Sequence, residues 1–179
     1  RVSLGEASLW RGALVTVAAP SGTVDVVSGS WWIDGNNDLN VAGEVRNGMS
    51  TRRLYVSVVA TVRNAAAAVV GTMTLGAYLD QLGPGATSPF WGRMDAPPGA
   101  TTVDLEAKPG TTVTAVPQGA LGVTLGVPYT DSYGWRHHPG TIHNLASFGV
   151  EFSQANIAVY DASGDVIDAY WGYADPDAI

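Results

Sequence analysis

Asp34, Asn36 and Asp38 set side-chain oxygens at alternate positions of one short loop, the spacing with which a tight turn gathers a hard cation such as calcium. Leu39 stands where such a loop needs its sharp-turn glycine and Val45 where it needs a bidentate glutamate. The pattern is therefore not an EF-hand, and an Asx-rich hairpin turn is the favoured reading over a calcium site. His137, His138 and His143, with Asp131 close in sequence, are residue types that hold zinc or copper. On an extended strand His137 and His143 would stand ~20 Å apart and His138 would face the other way, which favours a structural or surface role. The serines are scattered in turns without a nucleophile elbow. The carboxylate pairs Glu44 with Asp80 and Asp161 with Asp165 have the character of solvated turn acids rather than positioned, pKa-tuned groups. The expectation is a protein that is not an enzyme and has no cofactor. Trp31, Trp32, Trp91, Trp135 and Trp171 have two readings, an exposed platform for a surface glycan or anchors of a core and subunit interface.

The elements that must carry these residues are strands. Only 14% of the 179 residues are charged, while 22 glycines and 10 prolines accompany an apolar fraction dominated by Val and Ala. That composition favours short strands and many turns. Leu54–Val62 and Val150–Val159 are rich in β-branched and apolar residues and have no polar face at helical spacing. Turn chemistry recurs at Asp34–Asp38, Gly83–Gly85, Pro97–Gly99 and Lys108–Gly110. The Ala65–Ala68 run is the one stretch with helical propensity, and its counterpart Ala162–Asp165 is a hairpin sequence, so a turn is expected there too.

A net charge of −7 with a single lysine, Lys108, leaves no basic stripe to neutralise phosphates, which argues against nucleic acid as a partner. No apolar run is long enough for a membrane-spanning helix. The absence of cysteine removes disulfides and thiolate ligands without fixing a compartment. A start at Arg1 without methionine reads either as a processed mature form or as a cut chain, and the Gly/Thr/Asn-rich character favours processing.

The chain also repeats itself. Gly43–Asn47 falls on Gly140–Asn144 at an offset of 97 (144 − 47), and the same offset pairs Asp34 with Asp131, Val62 with Val159, Ala65 with Ala162 and Asp80 with Asp177. The expected fold class is all-β, two tandem immunoglobulin-like antiparallel β-sandwich units related by this 97-residue internal repeat. Residues 1–27 read as N-terminal closing strands, 28–120 as the first unit and 121–179 as a second, incomplete unit.

Ile157-Ala158-Val159-Tyr160-Asp161, leading through a Gly164 turn into Val166-Ile167, resembles the signature of the FxLYD family of bacterial and archaeal surface proteins. Val41-Ala42-Gly43-Glu44-Val45-Arg46-Asn47 resembles that family's opening V-x-G-E-V-x-N strand, and Leu82–Phe90 its L-x-P-G-x-x-x-x-F closing segment. The first unit departs from the pattern, with Arg63-Asn64 where Tyr-Asp is expected. The resemblance implies an immunoglobulin-like sandwich at the cell surface or outside the cell, with no catalytic residues to transfer.

Ser3–Trp10, followed by Pro20–Asp25, resembles Leu82–Trp91 followed by Pro97–Asp104, while a gap-free register at offset 97 instead pairs Ala18, Pro20, Gly22, Val26 and Gly29 with Ala115, Pro117, Gly119, Val123 and Gly126; under either, the N-terminus reads as the closing end of a unit and the second unit lacks such an end. An incomplete sandwich exposes an edge that another molecule can pair. The functional expectation is a structural subunit of an extracellular filament or pilus, copies joining head-to-tail as residues 1–27 of one complete 130–179 of the next. The interface would use Leu4, Leu9, Trp10, Leu14, Val15 and Val17 as donor and Ile157, Val159, Tyr160 and Ile179 as acceptor. The alternative is a tandem extracellular adhesion module that binds carbohydrate through exposed tryptophans.

Overall fold

The computed structural model describes residues 10–11, 22–113, 121–145, 147, 149 and 154–175. The fold is all-β, with no helix among the described residues. In chain order the strands are β1 (Trp10–Arg11), β2 (Val24–Ile33), β3 (Asp38–Asn47), β4 (Arg53–Leu54), β5 (Ser57–Asn64), β6 (Val69–Gly76), β7 (Gln81–Leu82) and β8 (Thr87–Asp95). They continue as β9 (Ala100–Lys108), β10 (Thr111–Thr112), β11 (Leu121–Leu125), β12 (Tyr129–Thr130), β13 (Arg136–His137), β14 (Gly140–Asn144), β15 (Gln154–Tyr160) and β16 (Val166–Tyr173). The chain divides into two compact units, Arg1–Ala115 with Asn156–Tyr170, and Val116–Ala155 with Trp171–Ile179. The first break falls at Ala115/Val116 rather than at 120/121, and Asn156–Tyr170, expected in the second unit, groups with the first.

In the first unit, one sheet runs in the order β1-β2-β3-β8 and a second β6-β5-β9, with a small β10-β4-β7 ribbon. Their sequences alternate at period two, as a strand with one buried face requires. In β5, Val58, Ala60 and Val62 are fully buried while Ser57, Val59, Thr61 and Arg63 between them are not. Val24, Val26, Trp31, Leu39, Val41 and Val45 of the first sheet share one core with Val58, Ala60, Val62, Leu75 and Val103 of the second, together with Phe90 and Leu82. This is a β-sandwich-like arrangement in which each fully buried Val contributes about 1.5–3 kcal/mol. Phe90 of β8 pairs with Gly43 of β3, and a Cβ on Gly43 would lie 2.5 Å from the Phe90 ring. The aromatic ring thus occupies the space that the glycine leaves.

The outer face of the β2–β3–β8 sheet is covered as well. Ala42 alternates with the inward Val41 and Gly43, yet its exposure is 0%. Its cross-strand neighbour Ser30 donates a hydroxyl hydrogen bond to the Val166 carbonyl. The Tyr78 hydroxyl donates to the Ala169 carbonyl at 3.3 Å, and the Tyr160 phenol hydrogen-bonds Glu44. Val166 and Ala169 are themselves buried. A small apolar residue on a face that otherwise carries Trp32, Asn40 and Glu44 is what lets the β15–β16 hairpin approach.

Four hairpins close with one five-residue turn. In each, an Asx carboxyl or amide oxygen accepts two backbone N–H bonds: Asp34 from Asn36 and Asp38, Asn64 from Ala66 and Ala68, Asp131 from Tyr133 and Trp135, Asp161 from Ser163 and Asp165. The fourth turn residue has positive φ in every case, at Asn37, Ala67, Gly134 and Gly164. Ala65–Ala68 is accordingly a turn, because Asn64 caps it as an Asp would. Registers correspond at the same spacing at both ends of the ladders and slip by one between them, where Gly43 faces Gly29 and Glu44 faces Ser28 but Gly140 faces Leu125 and Thr141 faces Thr124. Val24 pairs with Asn47 and Leu121 with Asn144, Val26 with Val45 and Val123 with Ile142, Trp32 with Asn40 and Tyr129 with His137, each second pair lying 97 positions after the first.

Candidate functional site

The second unit presents one hairpin, made of the β11–β14 and β12–β13 ladders. Its outer paired positions match those of β2 and β3, but their environments differ. Val24 and Val26 are 6% and 8% exposed, whereas Leu121 and Val123, 97 positions on, are 37% and 55% exposed. Val45 is fully buried and its counterpart Ile142 only half-buried. Leu125 and Val127 are exposed as well. The apolar face that forms a core in the first unit is open in the second. β3 lies between β2 and β8, while among the described residues β14 has β11 on one edge and no strand on the other.

The turn at the tip of this hairpin carries the titratable cluster. Asp131 accepts backbone hydrogen bonds with one carboxylate oxygen, and its other oxygen lies 2.9 Å from Nε2 of His137. That imidazole contact, followed by the backbone donors, holds the Asp131 pKa below the ordinary carboxylate value. The His137 ring stacks on Tyr129 with centroids 4.7 Å apart. His143 lies instead against the Thr124 hydroxyl at 3.4 Å, so the histidines have separate partners. No group of three or more potential metal ligands converges among the described residues.

Asp34, Asn36 and Asp38 form the Asx hairpin turn. One Asp34 oxygen accepts from the Asn36 and Asp38 backbones and the other from the Asn40 side chain at 3.1 Å, while Asp38 faces Arg93 at 3.5 Å. The Asp38 backbone, the Asn40 amide and the Asn36 backbone lower the Asp34 pKa in that order. These oxygens point at protein donors rather than at a shared cation position.

The tryptophans do not form one platform. Trp31 is buried in the core, Trp32 and Trp91 are half-buried, and Trp135 and Trp171 are exposed. Of the residues expected at a subunit interface, Leu4, Leu9, Leu14, Val15, Val17 and Ile179 lie outside the described residues. Trp10 pairs through its backbone with Ile33. Ile157 and Val159 are half-buried on β15, and Tyr160 is 49% exposed. The expected donor segment 1–27 overlaps β2, where Val24 and Val26 are core residues, so Val24–Val27 belong to the first sandwich. Sequence reasoning gave Glu44 only as one member of a carboxylate pair and did not single out Ala42 or Ser30.

No protein-family model, curated protein or solved structure matches this chain.

Proposed function

We propose that the protein is a structural subunit of an extracellular or cell-surface filament, in which a segment before Gly22 of each copy completes the second unit of the next. The observation that carries this reading is the contrast between Val24 and Val26, buried in a finished core, and Leu121 and Val123, exposed in the same register. An isolated two-stranded ribbon is marginal in water and gains stability from a third strand and a covered face. Because donor and acceptor are different surfaces of the chain, the contact is heterologous and propagates as an open filament. The resemblance to FxLYD surface proteins and the internal 97-residue sequence repeat support a location at or beyond the cell surface.

Negative-stain imaging and light scattering of the whole chain, beside a variant lacking residues 1–21, test the reading. Filaments that vanish on truncation are expected, since the cut spares the core residues of β2. A well-folded monomer in both samples would overturn it. A second reading has its own support: Tyr133, Trp135 and Trp171 are 87%, 71% and 55% exposed, as a module that stacks sugar rings would display them. Trp fluorescence quenched by soluble glycans in a protein that stays monomeric would favour that module.

A further inference from the structure

We infer that His137 is a proton-operated latch on the tip of the β12–β13 hairpin, tight when the imidazole is charged and loosened when it is neutral, and that the latch governs how firmly Tyr133 and Trp135 are presented. The latch is independent of the filament. One carboxylate joins its two sides. An oxygen of Asp131 accepts the backbone N–H groups of Tyr133 and Trp135, each at 2.9 Å, and the other oxygen lies 2.9 Å from Nε2 of His137. The turn held in this way carries the exposed side chains of Tyr133 and Trp135.

The first unit has the same constellation without the titration. Trp32, Asp34 and Asn40 stand 97 positions before Tyr129, Asp131 and His137. One Asp34 oxygen likewise accepts two backbone N–H groups of its turn, and Trp32 pairs with Asn40 as Tyr129 pairs with His137. The second Asp34 oxygen is held by the Asn40 amide at 3.1 Å. An amide therefore meets the structural need of this turn, and it does so without regard to pH. What a histidine adds in its place is a charge that comes and goes between about pH 5 and 8. Asn40 is buried, whereas the His137 side chain is half-buried and exchanges its proton with solvent.

The groups around the imidazole set the direction of the change. Asp131 faces it from the turn, and Tyr129 stacks on it from β12 with ring planes 8° from parallel. Arg136 precedes it on β13, where successive side chains point to opposite faces, and His138 follows it. His143 lies apart, against the Thr124 hydroxyl. The Asp131 pKa is held below the ordinary carboxylate value, so this carboxylate stays ionised while the imidazole titrates. Charged imidazole donates from Nε2 to a full negative charge, and such a bond is roughly twice as strong as a neutral one. Neutral imidazole brings no charge and has one N–H to divide between two ring nitrogens. The hold on Asp131 is therefore firmest from the imidazole range down to the range in which Asp131 itself takes a proton, and weaker above it.

Amide exchange of the whole chain, followed by mass spectrometry on fragments within 129–137 and corrected for the intrinsic pH dependence of exchange, tests the latch. Protection at Tyr133 and Trp135 is expected to fall roughly two- to fivefold between about pH 5 and 8, the range that an exposed ion pair supplies, while protection at Asn36 and Asp38 stays level. His137→Asn installs the brace of the first unit and is expected to keep the tip protected and abolish the fall. Asp131→Asn removes the carboxylate charge, with Asn64 as precedent in the same kind of turn, and is expected to abolish it as well. His143→Asn is expected to leave the wild-type profile unchanged. A flat wild-type profile overturns the latch without any variant. A fall that survives in either His137→Asn or Asp131→Asn, or one that disappears in His143→Asn, overturns it too.

Discussion

Ala67 holds φ at 61°, a left-handed conformation that costs an L-residue with a Cβ roughly 1–2 kcal/mol, whereas Gly134 and Gly164 hold the same turn position without that cost. Ala67→Gly is therefore expected to stabilise the first unit by up to about 1 kcal/mol after the greater unfolded-state entropy of glycine is subtracted, measured by urea unfolding. Asp34 and Asp131 illustrate the electrostatic side of these turns, since both have pKa values lowered from 3.8 by donors that favour the carboxylate. A depressed folded pKa contributes stability that is present above the unfolded value and lost as pH falls through the folded one. Thermal stability is expected to drop below about pH 4, the ordinary Asp range. Asp34→Asn, which keeps an acceptor but no charge, should flatten that drop; an unchanged acid limb would sink the assignment. The turn at Asp34 was legible in the sequence because an Asx turn is a local contract between a side chain and the next four backbone positions. The Asp131–His137 contact was only half legible, since proximity in sequence could not show that the imidazole reaches back across the ladder.

At the scale of elements, the hairpin strands of the second half were legible as strands, because their pattern repeats that of β5 and β6 at a fixed spacing. Their seat was not. Alternation told that β15 has two faces, but which neighbour each face meets depends on Ala42, Ser30 and Tyr78, residues far away in sequence whose small size or hydroxyl matters only once the sheet exists. The hold of this hairpin on the first sheet includes Tyr160 with Glu44, where burial and then the carboxylate push the phenol up to about 12. A raised folded pKa means that this contribution is intact below the unfolded value of 10.0 and fades as pH rises through about 12. Ultraviolet titration of phenolate is expected to show tyrosines that ionise late, and Tyr160→Phe should remove one of them. Equal late-titrating absorbance in wild type and Tyr160→Phe would mean that the phenol is not held by Glu44.

At the scale of the whole molecule, two hairpins of similar sequence differ in surroundings: Val24, Val26 and Val45 of one lie in a core, while Leu121 and Val123 of the other are exposed and, among the described residues, β14 has β11 as its one neighbouring strand. If the donor segment pairs with β14, then the segment supplied as a free peptide of residues 1–21 must compete with it. Added to the whole chain, the peptide is expected to shorten filaments in proportion to its concentration, because each occupied acceptor ends a growing polymer. Added to the variant lacking residues 1–21, it has two edges to choose between, β14 and the edge of β2 that Trp10 and Arg11 occupy in the single chain. Amide exchange separates them, since backbone pairing slows exchange wherever the strand lands. Protection gained at Gly140–Asn144 places the donor on the second unit, where a filament needs it. Protection gained only at Trp32 and Ile33, with filament length unaffected, would make the N-terminal segment an internal edge strand and end the case for exchange between copies.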